Sequence, residues 1–468
     1  MTPVRRGGDM TDPRIPLTAH GSVVWPAIPS PKDAALLALM YQWDQSQWWP
    51  PETLLAAQFR QLEGLLAHAV ETVPYYRKRL GTAAKFRPGR LTMDKWRRLP
   101  ILRRQDIQEA GPALTSRNLP KGHGPTRDVS TSGSTGRPIT IKTTQITRLF
   151  VSVSNLRYHL WHERDFSAKV ASIRALDKAT AKFAAAGKAG SWAVAHPSGP
   201  IFYCDVTKPV SEQLAWLQRQ NPNYLLTFPS NLAALLRLSQ EKGVTLPDLC
   251  EVITLSEVLD PDVRDACERI WGVPVTDSYS TQEFGLIALQ CPDHLHYHVQ
   301  SELAMIEVLG PGDEPCGPGE TGRMVITSLV NFATPLIRYE IGDYAEAGEP
   351  CSCGRGLPVL NRILGRVRNM ATLPSGDQFW PRFYSDDLAA IAPVRQAQLV
   401  QRSVHEIEVR LVVGRDLTGD EEERLRKVIL EYLGHPFTLR FTYVDEIPRS
   451  ASGKFEDFLS LVGQPAGR

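Results

Sequence analysis

Between about Val129 and Leu289 the chain alternates short apolar runs with stretches of helical periodicity. This rhythm constrains the fold more than any other feature. Tyr224-Leu225-Leu226-Thr227-Phe228 precedes a helical stretch from Asn231 to Gln240. Glu251-Val252-Ile253-Thr254-Leu255 precedes another from about Pro261 to Ile270, and Val273-Pro274-Val275 follows. Such a βαβα order predicts an α/β fold, with a mostly parallel sheet and helices on both faces. Ligands on such sheets bind beyond the carboxyl ends of the strands. Ser256-Glu257 and Ser278-Tyr279 each follow a predicted strand and fall at that edge. Residues 178–200, rich in Ala, Gly and Lys, read as a mobile surface loop.

The flanks differ in character. Residues 1–31 are rich in Pro, Gly and Arg and are expected to form a disordered tail. Leu55, Phe59, Leu62 and Leu66 then recur at helical spacing after Pro50-Pro51-Glu52, giving an N-terminal helical cap. From about 294 to 364 short strands alternate with Gly and Pro turns, as in a small β subdomain. Beyond Gly365-Arg366, two strand patterns, a helix from Asp420 to Leu433 capped by Thr418, and a further strand at Phe437–Phe441 describe a small mobile α+β domain over 369–468. The expected N-terminal domain is 32–366. At 468 residues the chain is too long for one core. The net charge of +2 offers no case for nucleic acid or an anionic membrane as partner, and leaves a homodimer open. No apolar run approaches the roughly 18 residues of a membrane span, and no secretory signal follows Arg5-Arg6. Seven cysteines, an odd number on a long chain, fit a reducing cytoplasm.

Chemistry concentrates in five segments. The first is Ser130-Thr131-Ser132-Gly133-Ser134-Thr135-Gly136-Arg137-Pro138, where seven of nine residues are Ser, Thr or Gly. Small residues let backbone approach an anion and hydroxyls add donors, so the loop suits a polyphosphate. It is not a Walker A loop, because Arg137-Pro138 follows Gly136. Taken alone, it reads equally well as a Ser/Gly linker. Downstream come Tyr279-Ser280-Thr281-Gln282-Glu283, Arg338-Tyr339-Glu340-Ile341-Gly342-Asp343, Gly365-Arg366-Val367-Arg368-Asn369, and Pro448 to Phe455 with Ser452-Gly453-Lys454 at its heart. This ordered series resembles the adenylate-forming superfamily of acyl-coenzyme A synthetases, peptide-synthetase adenylation domains and luciferases. Within it, the chain looks most like the phenylacetate–coenzyme A ligases and capsule-biosynthesis adenylate ligases, from about Gln42 to Phe455.

The resemblance implies ATP- and Mg²⁺-dependent activation of a carboxylic acid, expected to be aromatic, to an acyl-adenylate with release of pyrophosphate. Transfer to the thiol of coenzyme A follows. A stand-alone enzyme loading the phosphopantetheine of a carrier protein, or an amine, is the first alternative, and an inactive nucleotide-binding relative the second. Ser130, Thr131, Ser132, Gly133, Ser134, Thr135 and Gly136 would cradle phosphates. Ser256, Glu257, Ser278, Tyr279, Ser280, Thr281 and Gln282 would line the nucleotide site, with Tyr279 against adenine. Glu283 is the implied Mg²⁺ ligand, since a hard cation prefers carboxylate oxygen. Asp343 would hold ribose, Arg366 ribose or phosphate, and Lys454 would bridge the carboxylate and the α-phosphate. Ser280 and Gln282 depart from the family's usual Gly and Thr/Ser, and Arg368 from its usual hinge Asp or Lys.

A second constellation is Cys291, His294, His296, His298 and Cys351-Ser352-Cys353. Cys291, His296, Cys351 and Cys353 would complete a Cys₃His structural zinc site with no open position, as ligases of this branch sometimes carry. Free buried cysteines beside a solvent-facing histidine row are the other reading.

Overall fold

The computed structural model describes residues 15–23, 25–81, 89–131, 138–366, 369–381, 385–450 and 453–462. The chain divides into two compact units, Met1–Ile341 with Ala345–Ile363, and Gly342–Tyr344 with Leu364–Arg468.

The first unit is built on a twelve-stranded sheet. Five neighbouring strands run parallel, in the spatial order Pro200–Asp205, Val170–Arg174, Tyr224–Thr227, Glu251–Leu255 and Val275–Thr281. Helices cover both faces of such a block, so its strands are buried almost without interruption: Val170 to Ile173 and Glu251 to Thr254 are all buried. The connecting helices stop where the sequence demands. Pro229–Lys242 and Pro261–Trp271 end at Gly243 and Gly272, both in the left-handed region at φ of 63° and 72°.

Past Val275–Thr281 the sheet turns antiparallel, through Gly285–Gln290 and Tyr297–Val299. It then continues through Val359–Arg366, Tyr339–Ala347, Thr321–Ser328 and Ala304–Leu309. The strands expected in a small β subdomain attached to the larger one extend the same sheet. Helices Pro31–Ser46 and Pro51–Thr72 pack on this half, with Leu36, Trp43, Leu62, Leu65 and Leu66 in one core with Val299, Met324 and Ile326.

Two buried arginines tie the cap to the sheet. Arg338 donates from Nε and Nη2 to Glu307, both at 3.1 Å, and from Nη1 to the carbonyls of Arg97 and Leu99, both at 2.6 Å. Arg157 pairs with Glu302 at 2.9 Å and lies 4.6 Å from the Trp43 ring. Each buried cation has carboxylate and carbonyl acceptors, which offsets its desolvation.

Two stretches are more ordered than their composition implies. In the expected tail, the Leu17 N–H donates to the Ala195 carbonyl at 3.0 Å and the Ala19 N–H to the Ile28 carbonyl at 2.7 Å. Proline lacks the N–H a ladder needs, yet its neighbours still find partners. Within 178–200, Asp177 caps a helix Lys178–Ala185, and Gly190–Ser191 pairs with the edge of the sheet.

The second unit has a four-stranded sheet in the order Thr438–Tyr443, Glu406–Val413, Val394–Gln401, Phe458–Ser460. Helix Gly419–Leu433 packs Leu425, Ile429 and Leu433 against Leu399, Ile407, Val409 and Leu411. Thr418 and Glu421 form its capping box, and Gly434 ends it. None of the described helices is long and apolar enough to cross a membrane.

Asp277 sits wholly inside the parallel block, accepting from Thr254 Oγ1 at 2.7 Å and Tyr297 Oη at 2.5 Å. Burial outweighs these donors and raises its carboxyl to about 6. The folded state thus keeps a proton that the unfolded chain releases near pH 4. The stability this group contributes is present below about pH 4 and is lost as pH rises through about 6. Urea denaturation across pH 4–6 should show the wild type losing stability relative to Asp277→Asn as pH rises. A difference independent of pH would contradict this.

Candidate functional site

The carboxyl edge of the parallel block gathers the first set of predicted residues. Leu255 is in register with Ser278, so Ser256 and Tyr279 lie one step beyond, on adjacent strands. Ser256 holds φ at +71°, a conformation L-residues rarely adopt and one that concentrates at ligand sites. Glu257 accepts from the Ser230 N–H at 3.0 Å, placing its carboxylate at the N-terminus of helix Pro229–Lys242. Ser278 and Tyr279 are buried.

The next turn fixes Glu283. Thr281 Oγ1 accepts from the Phe284 N–H at 3.1 Å, and the Phe284 ring stacks on Tyr339 at 6.4 Å. Gly285 has φ of +77°, and a Cβ there would stand 2.7 Å from a Val151 methyl, so only glycine closes this turn. Ser280 and Thr281 are half-buried, Gln282 is exposed and Glu283 is buried, 8% exposed. An exposed Gln282 leaves the edge to Glu283, a placement that suits a carboxylate meant for a cation.

Only the neck of the phosphate loop is described. Strands Arg127–Ser130 and Thr140–Thr143 pair, Ser130 Oγ lies 2.8 Å from Thr140 Oγ1, and the Thr131 N–H donates to the Ile139 carbonyl at 3.0 Å. Ser132, Gly133, Ser134, Thr135 and Gly136 lie outside the described residues, as does Arg368.

The remaining predicted residues belong to the second unit. Arg366 Nε donates to Asp343 Oδ1 at 3.1 Å, so the expected ribose carboxylate and the junction arginine are an ion pair. Lys454 sits on a tight turn. The Gly453 N–H donates to the Ser450 carbonyl and the Ser450 N–H to the Lys454 carbonyl, each at 2.8 Å, and Gly453 has φ of +82°. Arg449 donates to the Gly453 carbonyl at 3.1 Å and lies 5.7 Å from the Phe455 ring. These bonds hold the backbone of the lysine in place.

The cysteine and histidine constellation assembles inside the first unit. Ligand atoms of Cys291, His296, His298 and Cys351 all lie within 4.8 Å of one another, and those of Cys291, Asp293 and Cys353 do likewise. Cys291 and Cys351 sulfurs are 3.9 Å apart, and Cys353 Sγ is 3.4 Å from His298 Nε2. A tetrahedron of zinc–thiolate bonds has sulfur–sulfur edges of about 3.8 Å, so the spacing fits zinc. His296 Nε2 is buried without a hydrogen-bond partner. Burial lowers His298 to about 4, which keeps its imidazole neutral, the form that ligates a metal. Burial and the neighbouring thiols push Cys351 up to about 12, the crowding a divalent cation relieves. His298, which was not among the four expected ligands, joins His296 in the first set, while Cys353 falls in the second; His294 lies 2.9 Å from Ser352 Oγ.

The loop behind these cysteines locks onto the helical cap. Arg355 lies 4.7 Å from the Trp48 ring and 4.6 Å from the Trp161 ring, and its Nε donates to Gln47 Oε1 at 3.0 Å. A Cβ at Gly356 would stand 1.8 Å from the Trp49 carbonyl oxygen.

The CapK C-terminal domain family matches residues 384–459. Phenylacetate-coenzyme A ligase of Thermus thermophilus is 25% identical over 459 residues, covering 90% of this chain and 100% of that protein. Protein CapK of Staphylococcus aureus is 25% identical over 213 residues, 42% of this chain and 44% of that one. Among solved structures, 2-hydroxyisobutyryl-CoA ligase in the postadenylation state superposes with a TM-score of 0.70 at 18% identity, over 89% of this chain and 91% of that one. The anthranilate CoA ligase AuaEII superposes with a TM-score of 0.52 at 15% identity, over 70% and 65% of the two chains. Over most of its length the chain has the fold of these solved CoA ligases. Its sequence likeness lies with the phenylacetate–CoA ligase and CapK branch of the adenylate-forming superfamily.

Proposed function

We propose that this protein activates a carboxylic acid with ATP and passes the acyl group to coenzyme A. A carboxylate oxygen attacks the α-phosphorus, the bond to the β-phosphate breaks, and pyrophosphate leaves. The thiol of coenzyme A then attacks the acyl carbon, and AMP departs with the oxygen that came from the carboxylate. The observation that carries this reading is the end-to-end likeness to a phenylacetate–coenzyme A ligase, in a chain that keeps Glu283, Asp343 and Lys454 in order.

The residues divide the work by charge. Glu283 would hold a magnesium ion, whose charge offsets that of the phosphates. Tyr279 would pack on adenine beside Ser256 and Ser278, and Asp343 would accept from the ribose hydroxyls. The loop 130–136 would supply phosphate donors. Lys454 would neutralise the carboxylate and α-phosphate as they meet. An aromatic acid is the proposed substrate class, by likeness to the relatives above.

The test is pyrophosphate exchange with a panel of carboxylic acids. Lys454→Ala should lower acid-dependent exchange by about 10²–10³-fold, as loss of a charge-stabilising group does, and leave ATP affinity within about threefold. A wild type that exchanges with no acid in the panel, or a variant as active as wild type, would contradict the proposal.

The Cys/His cluster is read as a structural zinc site, with six candidate donors for four positions and Cys291 common to both sets. Metal analysis of purified protein should find about one zinc per chain, and Cys291→Ala should lose it. Retention of the metal by that variant would refute the site.

A further inference from the structure

We propose that Arg104 is a positioning residue for the triphosphate of ATP, acting through the hydroxyl of Thr131. The inference rests on the nucleotide-dependent function above. Arg104 Nη2 donates to Thr131 Oγ1 at 2.9 Å, and the Ile139 N–H donates to the same oxygen at 3.2 Å. A hydroxyl oxygen accepts two hydrogen bonds and donates one. Both acceptor positions of Thr131 are thus filled, so its proton must point elsewhere. Among the described residues no acceptor meets that proton. Thr131 is buried and stands at the neck of the Ser/Thr/Gly loop.

The chemistry then selects the ligand. A guanidinium on the acceptor side polarises the O–H and strengthens the bond it gives. The group that best completes such a donor is an anion. Arg104 begins the helix Arg104–Ala110, and both acids of that helix face other groups: Asp106 lies 3.0 Å from Arg79 Nη1 and accepts from the Arg103 N–H at 2.7 Å, and Glu109 accepts from Gln105 Nε2 at 2.7 Å. The guanidinium of Arg104 reaches the loop neck through Thr131. Arg104 lies outside every motif of the family resemblance, some 27 residues upstream of Thr131.

The alternative is a plain staple between the helical cap and the hairpin. Calorimetric affinity for α,β-methylene-ATP separates the two, because it needs neither an acid nor turnover. Arg104→Ala and Thr131→Val should each weaken binding by roughly tenfold, the effect of losing a charge-assisted hydrogen bond. Arg104→Lys should recover part of the loss. The double variant should bind within about twofold of Thr131→Val alone, since the two residues act in series. A staple would lower the melting temperature and leave affinity unchanged, and that result would overturn the inference, as would losses that multiply. If Arg104→Ala fails to fold, Arg104→Lys carries the test, and wild-type affinity in that variant overturns it. Wild type that binds the analogue yet never exchanges pyrophosphate defeats the ligase reading alone. Wild type that does not bind it defeats both.

Discussion

A carboxylate and a triphosphate repel each other, and their approach sets the terms for everything else in this molecule. Two like unit charges 4 Å apart oppose contact by about 4 kcal/mol at the effective dielectric of a protein surface, and a triphosphate carries several. The parallel block answers with fixed elements. Ser256 holds its left-handed conformation at a strand end, Gly285 closes a turn no larger residue could make, and Glu283 is buried on that turn. Fixed dipoles and charges cost no reorganisation at the moment of reaction. The cation is handled differently. Lys454 belongs to the second unit, on a turn held by Gly453, Ser450 and Arg449.

Much of this was legible in the sequence because it rests on local rules. The parallel strands announced themselves as apolar runs buried on both faces, and in the second unit Thr418 and Gly434 marked both ends of helix Gly419–Leu433. The motif order singled out Glu283, Asp343 and Lys454 for the proposed reaction. Long-range side-chain choices were not legible. The Arg104–Thr131 bond joins a helix start to a loop neck, and neither residue signals the other in the sequence. His298 enters the metal cluster from strand Tyr297–Val299, which pairs with Gly285–Gln290 and Val359–Arg366. The extension of one sheet through residues 297–366 likewise depends on edge pairing, which short Gly-punctuated strands do not specify.

The helical cap is held by contacts of the same non-local kind. Arg157, Arg338 and Arg355 reach Trp43, the Arg97 and Leu99 carbonyls and Trp48 from far along the chain. Flat guanidinium groups serve here because they stack on indoles and still give several hydrogen bonds. The Cys351–Gly356 loop contributes to this lock, so a metal bound there would support the helices as well as the loop.

The account stands or falls on oxygen transfer. An acid from the exchange panel, labelled with ¹⁸O in its carboxyl group, is turned over with ATP and coenzyme A, and the nucleotide product is examined by mass spectrometry. An acyl-adenylate route gives AMP carrying one labelled oxygen from the acid. Turnover that yields ADP, or AMP without label, would contradict it.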